Sequence, residues 1–146
     1  MNEADAPQFA DGIPDARVTE ILKSMKLVAV VGISDKPERA SHGITRFLTG
    51  LGLEVVGVNP MLTEVLGVKV YPGLADVPGS IDVVDVFRRS DTVGPVVDEA
   101  VAVGAKSIWM QEGVVNENAA QVARDAGLDV VMDRCIYKEW LRLMNG

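Results

Sequence analysis

Short apolar runs rich in β-branched residues recur along this chain, and a stretch of helical periodicity follows almost every one. The runs are "LVAVVG" at 27–32, "EVVGVNP" at 54–60, "DVVDVF" at 82–87 and "SIWMQE" at 107–112. "DVVMD" at 129–133 adds a fifth and "VKVY" at 68–71 a short sixth. Between them, "ITRFLTGLG" starts near Ser41 and stops at Gly52, "DTVGPVVDEAVAVGA" runs from Asp91 to about Gly104, and "NENAAQVARDAG" stops at Gly127. A glycine just past the last apolar position is the expected helix stop. Before the first run, Pro14 opens "DARVTEILKSMK", where Val18, Ile21, Leu22 and Met25 recur at helical spacing. Its acids come early and its lysines late, as the helix dipole favours. Strands alternating with helices require a parallel sheet covered on both faces, joined by right-handed crossovers. The predicted fold is therefore α/β, a Rossmann-like doubly wound, mostly parallel sheet of five or six strands. It forms a single domain over 15–146, after a polar N-terminal lead at 1–14.

Composition removes several function classes. A chain of 146 residues, 48% hydrophobic and 24% charged, is long enough to bury one core. Its net charge of −7 argues against nucleic acid or an anionic membrane as partner. Any anionic ligand has to be held by local donors. The one cysteine, Cys135, excludes an internal disulfide framework and suits a reducing cytosol. The opening "MNEADAPQFADGIP" lacks the basic and apolar regions of a signal peptide, and no apolar run approaches the ~20 residues that span a bilayer. The expected location is cytoplasmic.

In a doubly wound sheet, ligands bind beyond the carboxyl ends of the strands, near the switch in strand order. The first such end, "VAVVGISDKPERASHG", turns at Gly32 and enters a helix near Ser41, the expected N-cap. Unpaired amides of a first helical turn favour a phosphate. Ser34 offers a hydroxyl, and Lys36 and Arg39 offer charge. The dinucleotide fingerprint G-x-G-x-x-G is absent. A tight strand-to-helix connection with no ligand is the bland alternative. The second strand ends in Asn59-Pro60, where an NAD-binding unit places an acid for the ribose; the same pair is also a common turn signal. The third end, "DVFRRS", offers Phe87 as an apolar wall and Arg88 and Arg89 as cations. Asp85 is odd inside such a run, and a solvated edge or a cap would explain it. At the fourth end Gln111, Glu112 and Gly113 suit a polar ligand tail or a helix-capping turn.

Taken in order, "VVGISDKPERASHGI", "GVNP", "DVVDVFRRS", "WMQEG" and "MDRC" resemble the small, stand-alone CoA-binding proteins, whose fold is similar to the CoA-binding domain of the succinyl-CoA synthetase α-subunit. The resemblance covers about residues 15–143. It implies binding of coenzyme A or an acyl-CoA. Gly32, Ile33, Ser34, Arg39 and Ser41 would meet the adenosine-diphosphate part. Asn59 and Pro60 would lie beside the nucleotide. Phe87, Arg88, Gln111, Glu112 and Gly113 would line the path of the pantetheine arm. Lys36, Arg39 and Asn59 are available to a 3′-phosphate. The synthetase's second domain with its phosphorylated histidine has no counterpart here, so the resemblance transfers binding and not catalysis.

No nucleophile stands beside a base by spacing. His42 reads as a helix-start donor or a phosphate neighbour, and Cys135 as buried filler or as a thiol activated by Arg134 beside a helix start. One Cys and one His far apart give no metal site. Trp109, Trp140 and Tyr137 read as core or helix-packing residues. The expectation is a non-catalytic module with a small-molecule nucleotide ligand; the alternative is an NAD(P)-dependent enzyme or redox sensor on the same fold. Trp140 and Leu143 on the last helix form a candidate homodimer contact or docking face, or pack on their own sheet. Gly32→Val is expected to abolish binding without unfolding the chain.

Overall fold

Seven strands in the order β3-β4-β2-β1-β5-β6-β7 make up one sheet in the computed structural model, which describes residues 9–144. The first eight residues of the polar lead lie outside the described residues. Helix α1 (Asp15–Ser24) precedes β1 (Leu27–Val31), the central strand, followed by α2 (Ala40–Gly50), β2 (Glu54–Val58), β3 (Glu64–Val65) and β4 (Val68–Tyr71). The second half runs β5 (Val83–Val86), α3 (Val93–Ala102), β6 (Ser107–Met110), α4 (Glu117–Asp125), β7 (Asp129–Val131) and α5 (Ile136–Met144). Every strand pair is parallel except the β3–β4 hairpin. That two-residue β3 takes the sheet past the five or six strands expected, because so short an element carries no periodicity to read.

Each half of the core covers one face of the sheet. Alternate residues of β1, Ala29 and Val31, pack with Val93, Val97 and Ala100 of α3 and Ala120 and Ala123 of α4. Val28 and Val30 pack the other way, against Val18 and Leu22 of α1, Leu48 of α2 and Ile136 of α5. The period-2 alternation therefore sends both faces inward, which is why the strands read as nearly continuous apolar runs. Trp140 and Leu143, half-buried, pack against this second cluster, one of the two arrangements expected of α5.

From β1 the chain winds outward through β2 and β4, then crosses back to β5 on the other side of β1 and continues to β6 and β7. The loops after β1 and β5 thus diverge to opposite faces, α2 to one and α3 to the other. This divergence leaves a crevice above the carboxyl ends of the two central strands.

The last residues of the lead are anchored. Arg134, 2% exposed, takes both carboxylate oxygens of Asp11 at 2.5 and 2.9 Å and one of Glu139 at 3.0 Å, and its guanidinium lies 3.7 Å from the Phe9 ring centre. A buried guanidinium with matched acids is satisfied; one left unmatched would be strongly destabilising.

Candidate functional site

The crevice is a cleft of about 880 Å³ lined from the β1, β2, β5 and β6 ends and from α2 and the start of α5. Gly32 forms the turn that leaves β1 and lines the cleft. Its φ of +85° is one reason for glycine; the second is that a Cβ there would overlap the Phe87 carbonyl oxygen and sit 3.0 Å from the carbonyl carbon. The two central strand ends are that close. Gly32 is therefore required by the backbone before any ligand arrives, and the expectation that Gly32→Val spares the fold is corrected on that ground.

The loop after Gly32 is held from below. Ile33 is fully buried, and its side chain fits against Gly57 of β2, where a Cβ would come within 2.8 Å of it. Asn59 donates to the Ile33 carbonyl oxygen at 2.8 Å and accepts from the Met61 amide at 2.8 Å. Its side chain thus ties the β2 end to the loop, a role the Asn-Pro turn signal did not disclose. The Ser34 hydroxyl oxygen accepts from the Lys36 amide at 3.1 Å, tightening the turn.

Ser41, the expected N-cap of α2, sits instead inside the first turn, where its carbonyl accepts from the Thr45 hydroxyl at 2.7 Å. Arg39 occupies the cap position and no side chain caps the helix. Ala40, Ser41 and Gly43 of this uncapped turn line the cleft. Around it stand Lys36, Arg39 and Arg88, exposed and without an ion-pair partner among the described residues. Free helix amides and free cations together make an anion site.

The other end of the cleft is apolar with few polar groups. Phe87, Val114, Phe47 and Tyr137 give the walls, with Phe47 and Tyr137 meeting edge to face at 4.9 Å. Glu112 lines this end too, and Lys138 holds its carboxylate at 3.0 and 3.1 Å; that contact also raises the lysine's pKa above its ordinary value. Gln111 donates to the Oδ1 of Asp85 at 2.5 Å. Asp85 is entirely buried, and its Oδ2 has no partner. Burial pushes its carboxyl up to about 7, against the lowering pull of the Gln111 hydrogen bond. Neither a solvated edge nor a cap explains it.

Of the residues singled out from sequence, the cleft brings together Gly32, Ile33, Ser34, Lys36, Arg39, Ser41, Asn59, Phe87, Arg88, Gln111 and Glu112. Pro60 and Gly113 do not line it; the Gly113 amide instead donates to Asp133 at 2.7 Å. Arg89, read with Arg88 as a cation of the third strand end, lines it too, whereas Val114, Phe47 and Tyr137 were missed. The last two sit on helices, where spacing signals packing and not a ligand wall. His42 is buried in α2 and does not line the cleft. Cys135 does line it, half-buried, but the Arg134 guanidinium is committed to Asp11 and Glu139 and is no activator for the thiol. Trp109 is core, as expected, donating to the Arg134 carbonyl at 2.8 Å. Among the described residues no group of His, Cys, Asp and Glu is arranged to hold a metal, and no helix is long and apolar enough to cross a membrane.

The model of the CoA binding domain family matches residues 26–140. This chain belongs to the CoA-binding domain family. An uncharacterized protein of Bacillus subtilis, YneT, is 43% identical over 121 residues, covering 83% of this chain and 90% of that protein. A hypothetical protein from Pyrococcus horikoshii has the same fold, with a TM-score of 0.91 at 38% identity, over 96% of this chain and 99% of its own. The acetate–CoA ligase (ADP-forming) I of Archaeoglobus fulgidus is 26% identical over 124 residues. This family member spans 76% of its own length in that match but only 18% of the ligase.

Proposed function

We propose that this chain binds coenzyme A, or an acyl form of it, in the cleft and holds it without itself catalysing a reaction. The observation that carries the reading is the cationic rim: Lys36, Arg39 and Arg88, free of acid partners among the described residues, around the uncapped turn of α2. Coenzyme A brings a pyrophosphate and a 3′-phosphate to such a rim and a long thin arm to an apolar groove. The cleft volume lies within the range of sites for ligands of this size. The α2 amides suit the pyrophosphate, and the three cations suit the remaining phosphate. Phe87, Gln111 and Val114 would flank the arm. A nicotinamide dinucleotide fits less well, because Asn59 stands where its ribose acid belongs and both ends of that side chain already bond the chain itself.

The test is the ligand itself. Denaturing the protein as purified and weighing what is released should give coenzyme A or an acyl-CoA. Titration calorimetry should show coenzyme A binding on the order of 10-fold more tightly than its dephospho form, the value of one charge-assisted contact. Release of a nicotinamide nucleotide would overturn the reading, and equal binding of the two coenzyme forms would remove the 3′-phosphate contact from it.

A further inference from the structure

Behind the apolar end of the cleft lies a buried pair that nothing in the phosphate site needs. Asp85 sits in the middle of β5, opposite Val30 of β1 and Trp109 of β6. It is 0% exposed, and its one described partner is the Nε2 of Gln111. Gln111 follows β6 and lines the cleft. Asp85 Oδ2 is the sole side-chain nitrogen or oxygen among the described residues both sealed from solvent and unpartnered. Gln111 Oε1 receives no hydrogen from the described residues either, yet it is not among the sealed, unpartnered atoms, and Gln111 lines the cleft.

A glutamine amide can turn either end to a ligand, its carbonyl or its NH₂. An ionised carboxylate only accepts, so it removes that choice. We propose that Asp85 is a positioning residue for the ligand's arm: its carboxylate takes the Gln111 amide hydrogen, fixes Oε1 toward the cleft, and so selects a ligand that brings an N–H donor, the secondary amide of a pantetheine-type arm. The inference rests on the proposed coenzyme A reading and deepens it. It also accounts for a buried acid with one oxygen unmatched, a costly arrangement with no role in packing.

The device depends on pH. Once protonated, Asp85 can donate as well as accept, and the Gln111 amide is free to turn. The buried ionisable groups carried by elements on this face are His42 of α2, Arg134 at the β7–α5 corner and Glu139 of α5, with Asp11 on Arg134 and Cys135 at the start of α5. None of them acts on Asp85, whose carboxyl answers to burial and to Gln111 alone.

Calorimetry on the full chain tests the idea with coenzyme A and two analogues, each with one arm amide N–H replaced by an ester oxygen. At pH 8 one analogue should bind about 10-fold more weakly than coenzyme A. That ratio should shrink toward one at pH 6; phosphate titration cancels from it, since all three ligands carry the same phosphates. In Asp85→Asn the ratio should no longer change with pH, and in Gln111→Met, a change at the cleft wall, it should be near one throughout. Coenzyme A binding with neither analogue weakened at pH 8, or a ratio independent of pH in the unmodified chain, overturns the inference and leaves the proposed function standing. No coenzyme A binding at all overturns both. The pH series on the unmodified chain decides the matter even where Asp85→Asn fails to fold.

Discussion

Asp85→Asn should change how the stability of this protein responds to pH, in a direction opposite to most carboxylates. In the unfolded chain the Asp85 carboxyl ionises near 3.8; in the fold burial holds it up to about 7. Between those values the native state binds more protons than the unfolded state, so stability falls as pH rises, and the loss is complete a unit or more above about 7. The displacement is roughly 3 pH units at about 1.4 kcal/mol each, or about 4 kcal/mol in all. Roughly 2 kcal/mol of this falls between pH 5 and 7, and roughly 2.7 kcal/mol between pH 5 and 8.5. Asp15 and Asp82 have carboxyls held below their ordinary value, Asp15 chiefly by its hydrogen bond to Arg142 and Asp82 by the Leu27 and Lys26 amides against a desolvation that opposes them. They contribute stability above their unfolded values and lose it only as the pH drops through the lowered ones, and every other group is shared by the two proteins, so the difference between them from pH 5 to 8.5 isolates Asp85. Asparagine keeps the shape and an acceptor for Gln111 but cannot ionise. Urea unfolding followed by the fluorescence of buried Trp109 should show the variant gaining about 3 kcal/mol on the unmodified protein between pH 5 and 8.5. An equal stability difference at both pH values would refute a buried, strongly shifted Asp85.

Two further substitutions probe how the cleft is held. Gly32→Ala should destabilise the protein by about 1–3 kcal/mol in the same assay, since it forces a Cβ onto the Phe87 carbonyl at a positive φ; a neutral effect would mean the two strand ends are not in contact. Asp11→Ala should lower stability by about 3–5 kcal/mol by leaving Arg134 with an uncompensated buried charge, and Asp11→Ala combined with Arg134→Met should recover much of it. Unchanged stability in the single variant would place Asp11 in solvent.

What could be read from the sequence follows from what is local in it. Alternating β-branched runs and helical stretches name the layers, and the strand ends carry Gly32, Arg39, Phe87 and Gln111 to one edge because a parallel sheet puts all its carboxyl ends together. What escaped is what depends on partners far along the chain. The Arg134 partner is 123 residues away, so a basic residue beside Cys135 looked like an activator when it is the centre of a buried ion cluster. Asn59 bonds a carbonyl 26 residues back, so a residue expected beside the nucleotide is also a brace for the loop that contains Ile33. Gly57, inside a strand pattern, was the one local hint of that brace, since a strand glycine marks a close approach and here the approaching atoms are those of Ile33. Phe47 and Tyr137 stand at helical spacing, and nothing in that spacing separates a residue that covers the sheet from one that overhangs a cleft.

That an acidic chain should hold a polyanion, as proposed, looks contradictory only while its charge is treated as a single number. Several of its acids are locally engaged away from the rim: Asp82 with Lys106 and Asp129 with Arg17 at the amino ends of the strands, Asp11 and Glu139 around Arg134 in the interior. Asp85, next to the cleft, is held by burial near the point where half of it is uncharged at neutral pH. Glu112, the acid that lines the cleft, is matched by Lys138. The screening length in physiological salt is about 8 Å, so charges at the far edge of the sheet scarcely reach the rim, whereas Lys36, Arg39 and Arg88 act on a phosphate at contact. The net charge of −7 therefore describes the surface as a whole, while three cations unmatched among the described residues and one uncapped helix turn set the local field at the cleft, which is what the proposed reading requires.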